Sequence, residues 1–525
     1  MLKNEPRGRR ATGTPESKTR DSRLRTDRPW VALGAVAVTS EILYILLLRL
    51  DAVNGVRPVL TFLALMFVLF GLYAAAYFSI RNTRGNQRGA LVVIAAGALL
   101  FRVTLLPAGL PPEVTGSGLK GMFAALHADV RGAAVSYDRF QLFDDDVWRY
   151  LWDGHVWAHG VNPFLYAPTH PALDGMADDD NGSLTDGRPV WGEIRDNINY
   201  ASTPTIYPPL AQAVFRAAHA VAPGSVLVMK TVLVGFDLLA ALLIALALRA
   251  LGRPPELVIL YAWNPLVVKV FAGSGHMDAI LAAALSATAY FVARQVPRRA
   301  AISFGLAVLT KICPVVLLPF LLKRIGWRHT AISCAVVLVG YFPFLGAGRR
   351  MFGGLMAFTG DWQFNAGPYA LLRWLAGVFS QQYPVMVARL ASALLIITAV
   401  AWLVWVDDGH SESFAACGAA ALGAVIVLGP VAMPWYVVWL LPLAILSGQH
   451  VWIHFSALVC IAFLVMIDQQ EHTWALALEY TTLAPLLWLG WRHTWPGCRP
   501  AHAESKAKLF SHPAAPRFFR GEPQT

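Results

Sequence analysis

PVLTFLALMFVLFGLYAAAYFSI, residues 58–80, runs for 23 positions without one Asp, Glu, Lys, Arg or His. A helix needs about 20 apolar residues to cross the hydrocarbon core, and lipid offers no partner to free backbone groups, so the stretch reads as a membrane-spanning helix. Residues 30–50, 89–107, 225–248, 257–272, 385–406, 414–431, 451–467 and 474–490 are further long apolar stretches, each with at most two Asp, Glu, Lys, Arg or His. The alternation of a membrane barrel is absent. Hydrophobic residues make up 56% of the chain and charged ones only 14%. Soluble proteins carry roughly a quarter of charged residues, and 14% gives too little polar surface for a water-soluble body of 525 residues. The expected fold class is an all-α polytopic membrane protein with about 12–14 transmembrane helices.

The charges that remain describe topology. The net charge of +11 lies in short loops and tails, which argues against a nucleic-acid partner and for the positive-inside rule. Residues 1–28 hold nine Lys/Arg against four acids, and Arg81, Arg84 and Arg88 make the next basic turn. Both are expected in the cytoplasm. The first apolar span is too long for a signal-peptide core and is expected to stay as an anchor. The segment 108–205 carries 14 acids against 6 bases, as an external loop can. The organisation is therefore a cytoplasmic basic tail (1–29), three transmembrane helices (30–107), an extracytoplasmic loop (108–205), a multi-helix transmembrane domain (206–491) and a second cytoplasmic basic tail (492–525). Keeping later basic turns inside makes 207–222 an interfacial or re-entrant helix, and 300–322, broken by Lys311 and Pro314, a hairpin or bent pair. The five cysteines are scattered without metal-site spacing and read as small core residues.

The external loop holds DDDVWRYLWDGHVWAHGVNPFLYAP, residues 144–168. Two or three helical turns end at Gly160, and an Asn-Pro turn follows. On a helix Asp146, Tyr150 and Asp153 share a face, while Arg149 lies four residues after Asp145 and can pair with it. An acidic run is ordinarily a solvated face. Here it follows a membrane span, and Trp148, Trp152, Trp157 and Phe164 beside it suit the headgroup layer or the face of a sugar ring. YPPLAQ, from Tyr207, opens another helix at the same surface.

The pattern D-D-V-x-R-Y-x-W-D-G, then G-x-N-P-F-x-Y-A-P, resembles the GT-C superfamily of integral membrane glycosyltransferases, in particular the bacterial mannosyltransferase-like branch that uses polyprenyl-phosphate sugars. The resemblance continues in order through IYPPLAQ, WNP, GSGHMDAI, LTKICPVVLLP and PWYVVWLLPL, up to Leu443. It implies a GT-C-like fold with a large extracytoplasmic loop carrying short interfacial helices. It also implies a sugar donor on a polyprenyl phosphate, a hydroxyl acceptor on a glycolipid, polysaccharide or protein of the cell envelope, and a place in the bacterial cell membrane with both termini cytoplasmic. Mannose is the favoured sugar; glucose, arabinose and aminoarabinose stay open. An acceptor hydroxyl needs a base. By the family's D-x-x-x-Y pattern that base maps onto Asp146 with Tyr150, and Asp145 is the competing choice. Inversion by direct displacement follows. The leaving phosphate needs positive charge, for which His276 and Lys311 are candidates, with Arg149; Tyr150 and Asp278, the latter beside His276 in GHMD, are placed with them as donor-binding residues. No cofactor beyond the donor, and no metal, is expected.

Plainer readings stand beside these. His276 also fits an interfacial hydrogen-bonding residue, Lys311 and Lys269 fit snorkelling lysines, and Trp435 and Tyr436 fit an aromatic belt. Glu41 and Asp237 are intramembrane acids, each buried against a base or protonated. As a whole, the chain could instead be a lipid-linked-sugar transporter or flippase, or a scaffold. Transporters tend to show repeated halves and midplane polar sites, whereas this sequence has no repeat and keeps most polar motifs at one end of its spans.

Overall fold

A computed structural model describes residues 29–494 apart from 51–52, 82–86, 131–136, 138–139 and 179–189. The two basic tails expected in the cytoplasm lie outside the described residues, save Pro29 and the last helical turn before residue 495. The apolar stretches fold as α-helices, and the extended pairing among the described residues is an isolated bridge between Phe364 and Val431.

Three helices come first: α1 (Pro29–Leu48), α2 (Val56–Arg81) and α3 (Gln87–Leu105). The segment between α3 and the rest of the bundle contributes α4 (Asp146–Ala158), and α5 (Pro209–Val221) follows it. The bundle continues with α6 (Val226–Ala250), α7 (Asp278–Ala293), α8 (Pro297–Thr310), α9 (Leu318–Tyr341), α10 (Gly353–Asp361), α11 (Pro384–Val406), α12 (Ser411–Leu428), α13 (Val437–Ser447) and α14 (Thr473–Thr494). Helix α6 packs on α7, α7 on α8 and α8 on α9, so neighbours in sequence are neighbours in space. Against the 12–14 expected spans, eight helices among the described residues are long and apolar enough to cross a membrane, nine if one bent pair counts as a span. Helix α7 and the segment Pro434–Ser447 are apolar but shorter.

Local chemistry explains where the spans break. The stretch 257–272, expected as one span, bends by 57° between Pro255–Ala262 and Pro265–Gly273. Asn264 caps the second half by accepting from Leu266 N at 3.0 Å, with Pro265 at its first position, and a π-turn covers Lys269–Gly273. Helix α8 stops at Thr310, Lys311 takes an extended backbone, and a 3₁₀ turn at Cys313–Leu317 leads into α9. This is the bent pair that Lys311 and Pro314 suggest.

The membrane acids find partners. Asp237 pairs with Arg102 from α3, whose guanidinium also donates to the carbonyls of Ala98 (3.0 Å) and Ala262 (2.8 Å). A fully buried ion pair needs such additional hydrogen bonds to offset desolvation. Glu41 accepts from Thr104. The N-terminal helices thus support the rest: α3 neutralises α6, and Phe62 of α2 packs 5.1 Å from both Phe143 and Phe463.

Candidate active site

Helices α4 and α5 lie against each other, and one residue sets how closely. A Cβ on Gly154 would stand 2.6 Å from the carbonyl oxygen of Phe215, so the Asp-Gly of the motif is where the two backbones touch. On one side of this crossing Tyr150 stacks on Phe215 with centroids 4.6 Å apart. On the other, Asp153 accepts from Thr205 (2.5 Å) and Gln212 (3.0 Å). The Asn-Pro turn closes through Asn162 Oδ1, which accepts from Phe164 N at 3.1 Å.

The three consecutive aspartates divide: Asp144 turns into the bundle, whereas Asp145 and Asp146 share the Asn199 amide. Leu142 and Phe143, both buried, take left-handed backbone (φ 52° and 69°), which delivers Asp144 downward into the bundle. There Asp144 pairs with Lys269 and lies 3.3 Å from His276 Nε2. Burial alone would raise its pKa, but the Lys269 ammonium and His276 outweigh that and hold the carboxyl well below the usual range. Asp145 stands just before α4 and accepts from Asn199 Nδ2 at 2.6 Å.

Asp146 is the first residue of α4, where the helix dipole favours a negative charge. Its Oδ1 accepts from the same Asn199 amide at 3.1 Å, and its Oδ2 lies 3.4 Å from the hydroxyls of both Tyr150 and Tyr207. Burial, and after it neighbouring negative charge that includes Asp146, pushes both phenols well above their ordinary pKa, so both stay protonated and donate. His276 Nδ1 approaches Asp146 Oδ2 to 3.5 Å, within ion-pairing reach of a protonated ring. The imidazole, between two carboxylates, also stacks on Trp435 with centroids 4.2 Å apart. Gly275 just before it takes φ +73°, and its position is crowded by Lys230 Cγ, 2.9 Å from where a Cβ would be.

One residue beyond Met277, whose N–H approaches the Tyr150 hydroxyl at 3.5 Å, Asp278 opens α7. Lys311 Nζ donates to Asp278 Oδ1 at 2.7 Å, and Trp439 Nε1 donates to the same oxygen. The ammonium also lies 4.4 Å from the Trp439 ring centroid and 4.9 Å from that of Tyr436. Tyr207, Lys311, Tyr436 and Trp439 line the polar end of a cavity of about 410 Å³ whose other walls come from α10, α11 and α12. Arg389 of α11 is on that wall with its Nε buried and without a hydrogen-bond partner.

Five of the seven residues singled out from sequence therefore gather in two adjoining clusters, Asp146–Tyr150–His276 and Asp278–Lys311, with Asp145 at the rim of the first. Arg149 does not join them. It pairs with Asp153 at 2.9 Å and donates to the Thr203 carbonyl at 3.1 Å. The expected pair with Asp145 fails because Asp145 (φ −131°) precedes the helix, whereas Asp153 shares its face. Lys269 is no snorkeller but a fully buried counter-ion, and Trp435 lies on His276. Asn199, the Tyr207 hydroxyl, Trp439 and Arg389 were not anticipated. For Arg389 the signal available was an intramembrane charge, which normally has a partner or a task. Among the described residues no group of three His, Cys, Asp or Glu side chains is placed to hold a metal ion.

Residues 140–326 match the family model described as "Alpha-(1->6)-mannopyranosyltransferase, N-terminal domain", of the MptA_B family. The matched stretch includes all three aspartates, Lys269, His276, Asp278 and Lys311, and it is consistent with a GT-C mannosyltransferase-like protein. No curated protein and no solved structure matches the chain.

Proposed function

We propose, from a chain that carries a mannosyltransferase-family domain, an inverting mannosyltransferase that draws mannose from a polyprenyl phosphate and works at the extracytoplasmic face of a bacterial cell membrane. The acceptor is a hydroxyl of an envelope glycolipid, polysaccharide or protein. The observation that carries this reading is the convergence of a donor-ringed carboxylate, Asp146, with a lysine-bearing apolar cavity.

Asp146 takes the proton of the acceptor hydroxyl. The acceptor oxygen forms a bond to the anomeric carbon as the carbon–phosphate-oxygen bond breaks, and that electron pair leaves with the lipid phosphate. Tyr150, Tyr207 and Asn199 fix the carboxylate, which supports Asp146 over Asp145, held by the shared Asn199 amide. Lys311 offers positive charge where the phosphate's charge grows, with His276 in the adjoining cluster as a further donor. An apolar cavity of about 410 Å³ accommodates the first isoprene units of the lipid.

The test uses membranes containing the protein, radiolabelled polyprenyl-phosphate mannose and an acceptor extract. Transfer to a lipid or polymer fraction, abolished in Asp146→Asn and retained at least in part in Asp145→Asn, is the expected result. Absence of transfer from every polyprenyl-phosphate sugar, by protein that inserts normally, overturns the reading and favours a transporter.

A further inference from the structure

Tyr200 follows the asparagine whose amide bridges Asp145 and Asp146, yet its own ring turns outward and is 58% exposed. It lies on the indole of Trp362, with centroids 4.0 Å apart and planes at 34°. Phe358 continues the row 5.0 Å from Trp362 and lines the cavity that holds Lys311. The Tyr200 backbone is left-handed (φ 48°), uncommon for a bulky residue, so the loop holds this ring in place against a local preference. Burial, and then the charges of Asp145 and Asp146, raises the phenol's pKa, which puts the ring within the field of both carboxylates. Two large aromatic rings thus reach from the carboxylates toward the cavity rim, one of them mostly open to the exterior. The C–H face of a pyranose packs on such a surface while its hydroxyls stay free at the edge. Asn199, next to Tyr200 in the chain, holds Asp145.

We propose that Tyr200 and Trp362 form the acceptor platform: a pyranose already present on the acceptor stacks there, so the acceptor is a glycan or glycolipid recognised through its sugar. This deepens, and rests on, the reading of the site as a glycosyltransferase. The platform fixes the ring face, and Asp145 with Asn199 meets hydroxyls at its edge, leaving Asp146 for the one that reacts. A protein side-chain acceptor, with no ring to stack, does not use it.

The test takes the full chain in lipid nanodiscs and uses methyl α-mannobioside as the probe, with maltose as the control sugar. Saturation-transfer NMR reads binding without turnover, and transfer from polyprenyl-phosphate mannose to octyl mannobioside reads the acceptor KM. Tyr200→Ala and Trp362→Ala are each expected to weaken the mannobioside signal and to raise the acceptor KM about tenfold. The donor KM and kcat should stay within about twofold. Tyr200→Phe and Trp362→Tyr, which keep a ring, should restore both readouts and show that loss of the fold is not the cause. Unchanged binding and KM in the alanine variants overturns the platform. So does an enzyme that transfers mannose but gives no mannobioside signal. Ring-dependent binding without any transfer keeps the platform and overturns the transferase reading instead.

Discussion

Two lysine–aspartate pairs flank the candidate base, and they differ in what surrounds them. Lys269 and Asp144 are sealed, with side-chain exposures of 0% and 3%, under Phe62, Phe463 and the strained turn at Leu142–Phe143. Lys311 and Asp278 meet at the end of a cavity, and the lysine keeps 18% of its side chain exposed. The same two residue types therefore do different work. A sealed pair cannot exchange partners, so it fixes the chain that carries Asp144–Asp146. A pair that opens on a cavity can share its cation with an incoming anion while Asp278 keeps the Trp439 N–H. Asp146 lies between them, touched by His276 from the first cluster and Tyr207 from the cavity wall.

The largest effect is expected at Asp146 itself. Asp146→Asn keeps the side chain's shape and removes a base, so kcat should fall about 10²–10⁴-fold with little change in thermal stability. An Asn variant that keeps most of its activity would move the base to Asp145. Next comes the sealed pair. Lys269→Met leaves Asp144 buried without its main counter-charge, which is expected to lower stability by about 3–5 kcal/mol. The thermal midpoint in detergent reads this directly. Adding Asp144→Asn to Lys269→Met should recover most of the loss, because neither member of the pair then carries a charge. Failure of the double variant to recover would mean that the pair does more than neutralise.

How much of this was legible in the sequence follows from the range of the contacts. The helical membrane fold was, because 23 uncharged residues in a row leave few alternatives, and the acidic motif with Tyr150 was, because its spacing is local. Gly154 in the Asp-Gly pair is explained by a backbone 61 residues away in the chain, at Phe215, and no spacing rule points there. Lys269 and Asp144 are separated by 125 positions, Lys311 and Asp278 by 33, and Trp439 and Asp278 by 161. A hydrophobic pattern says that a buried lysine is expensive and not which acid meets it. The span at 257–272 bent because Asn264-Pro265 starts a new helix there, a local signal that the surrounding hydrophobicity outweighed.

The open pair should respond less in stability and more in binding. Lys311→Gln leaves the buried Asp278 hydrogen-bonded to Trp439 and within reach of the new amide at the end of a cavity, so the thermal midpoint should fall by less than in Lys269→Met. The KM for the polyprenyl-phosphate sugar should rise about tenfold or more, since a charge-assisted contact to phosphate is lost. Were Lys311→Gln as destabilising as Lys269→Met, the contrast between a sealed and an open pair would be gone.

The smallest effect lies in acid. Asp144 is held below its ordinary pKa of about 3.9 by Lys269 and His276, and a depressed carboxyl contributes stability that is complete above the unfolded-state value. That contribution is lost only as pH falls below about 4 toward the lowered folded value. Between pH 8 and pH 5 the sealed pair should therefore add no slope to stability. In thermal unfolding of the detergent-solubilised chain, wild type and Asp144→Asn should differ by a constant amount across that range and converge below about pH 4. A difference that already shrinks between pH 7 and pH 5 would mean that Asp144 protonates in the ordinary carboxylate range or above. The pair would then be able to exchange its proton, and the sealed cluster would have to be counted with the reactive one.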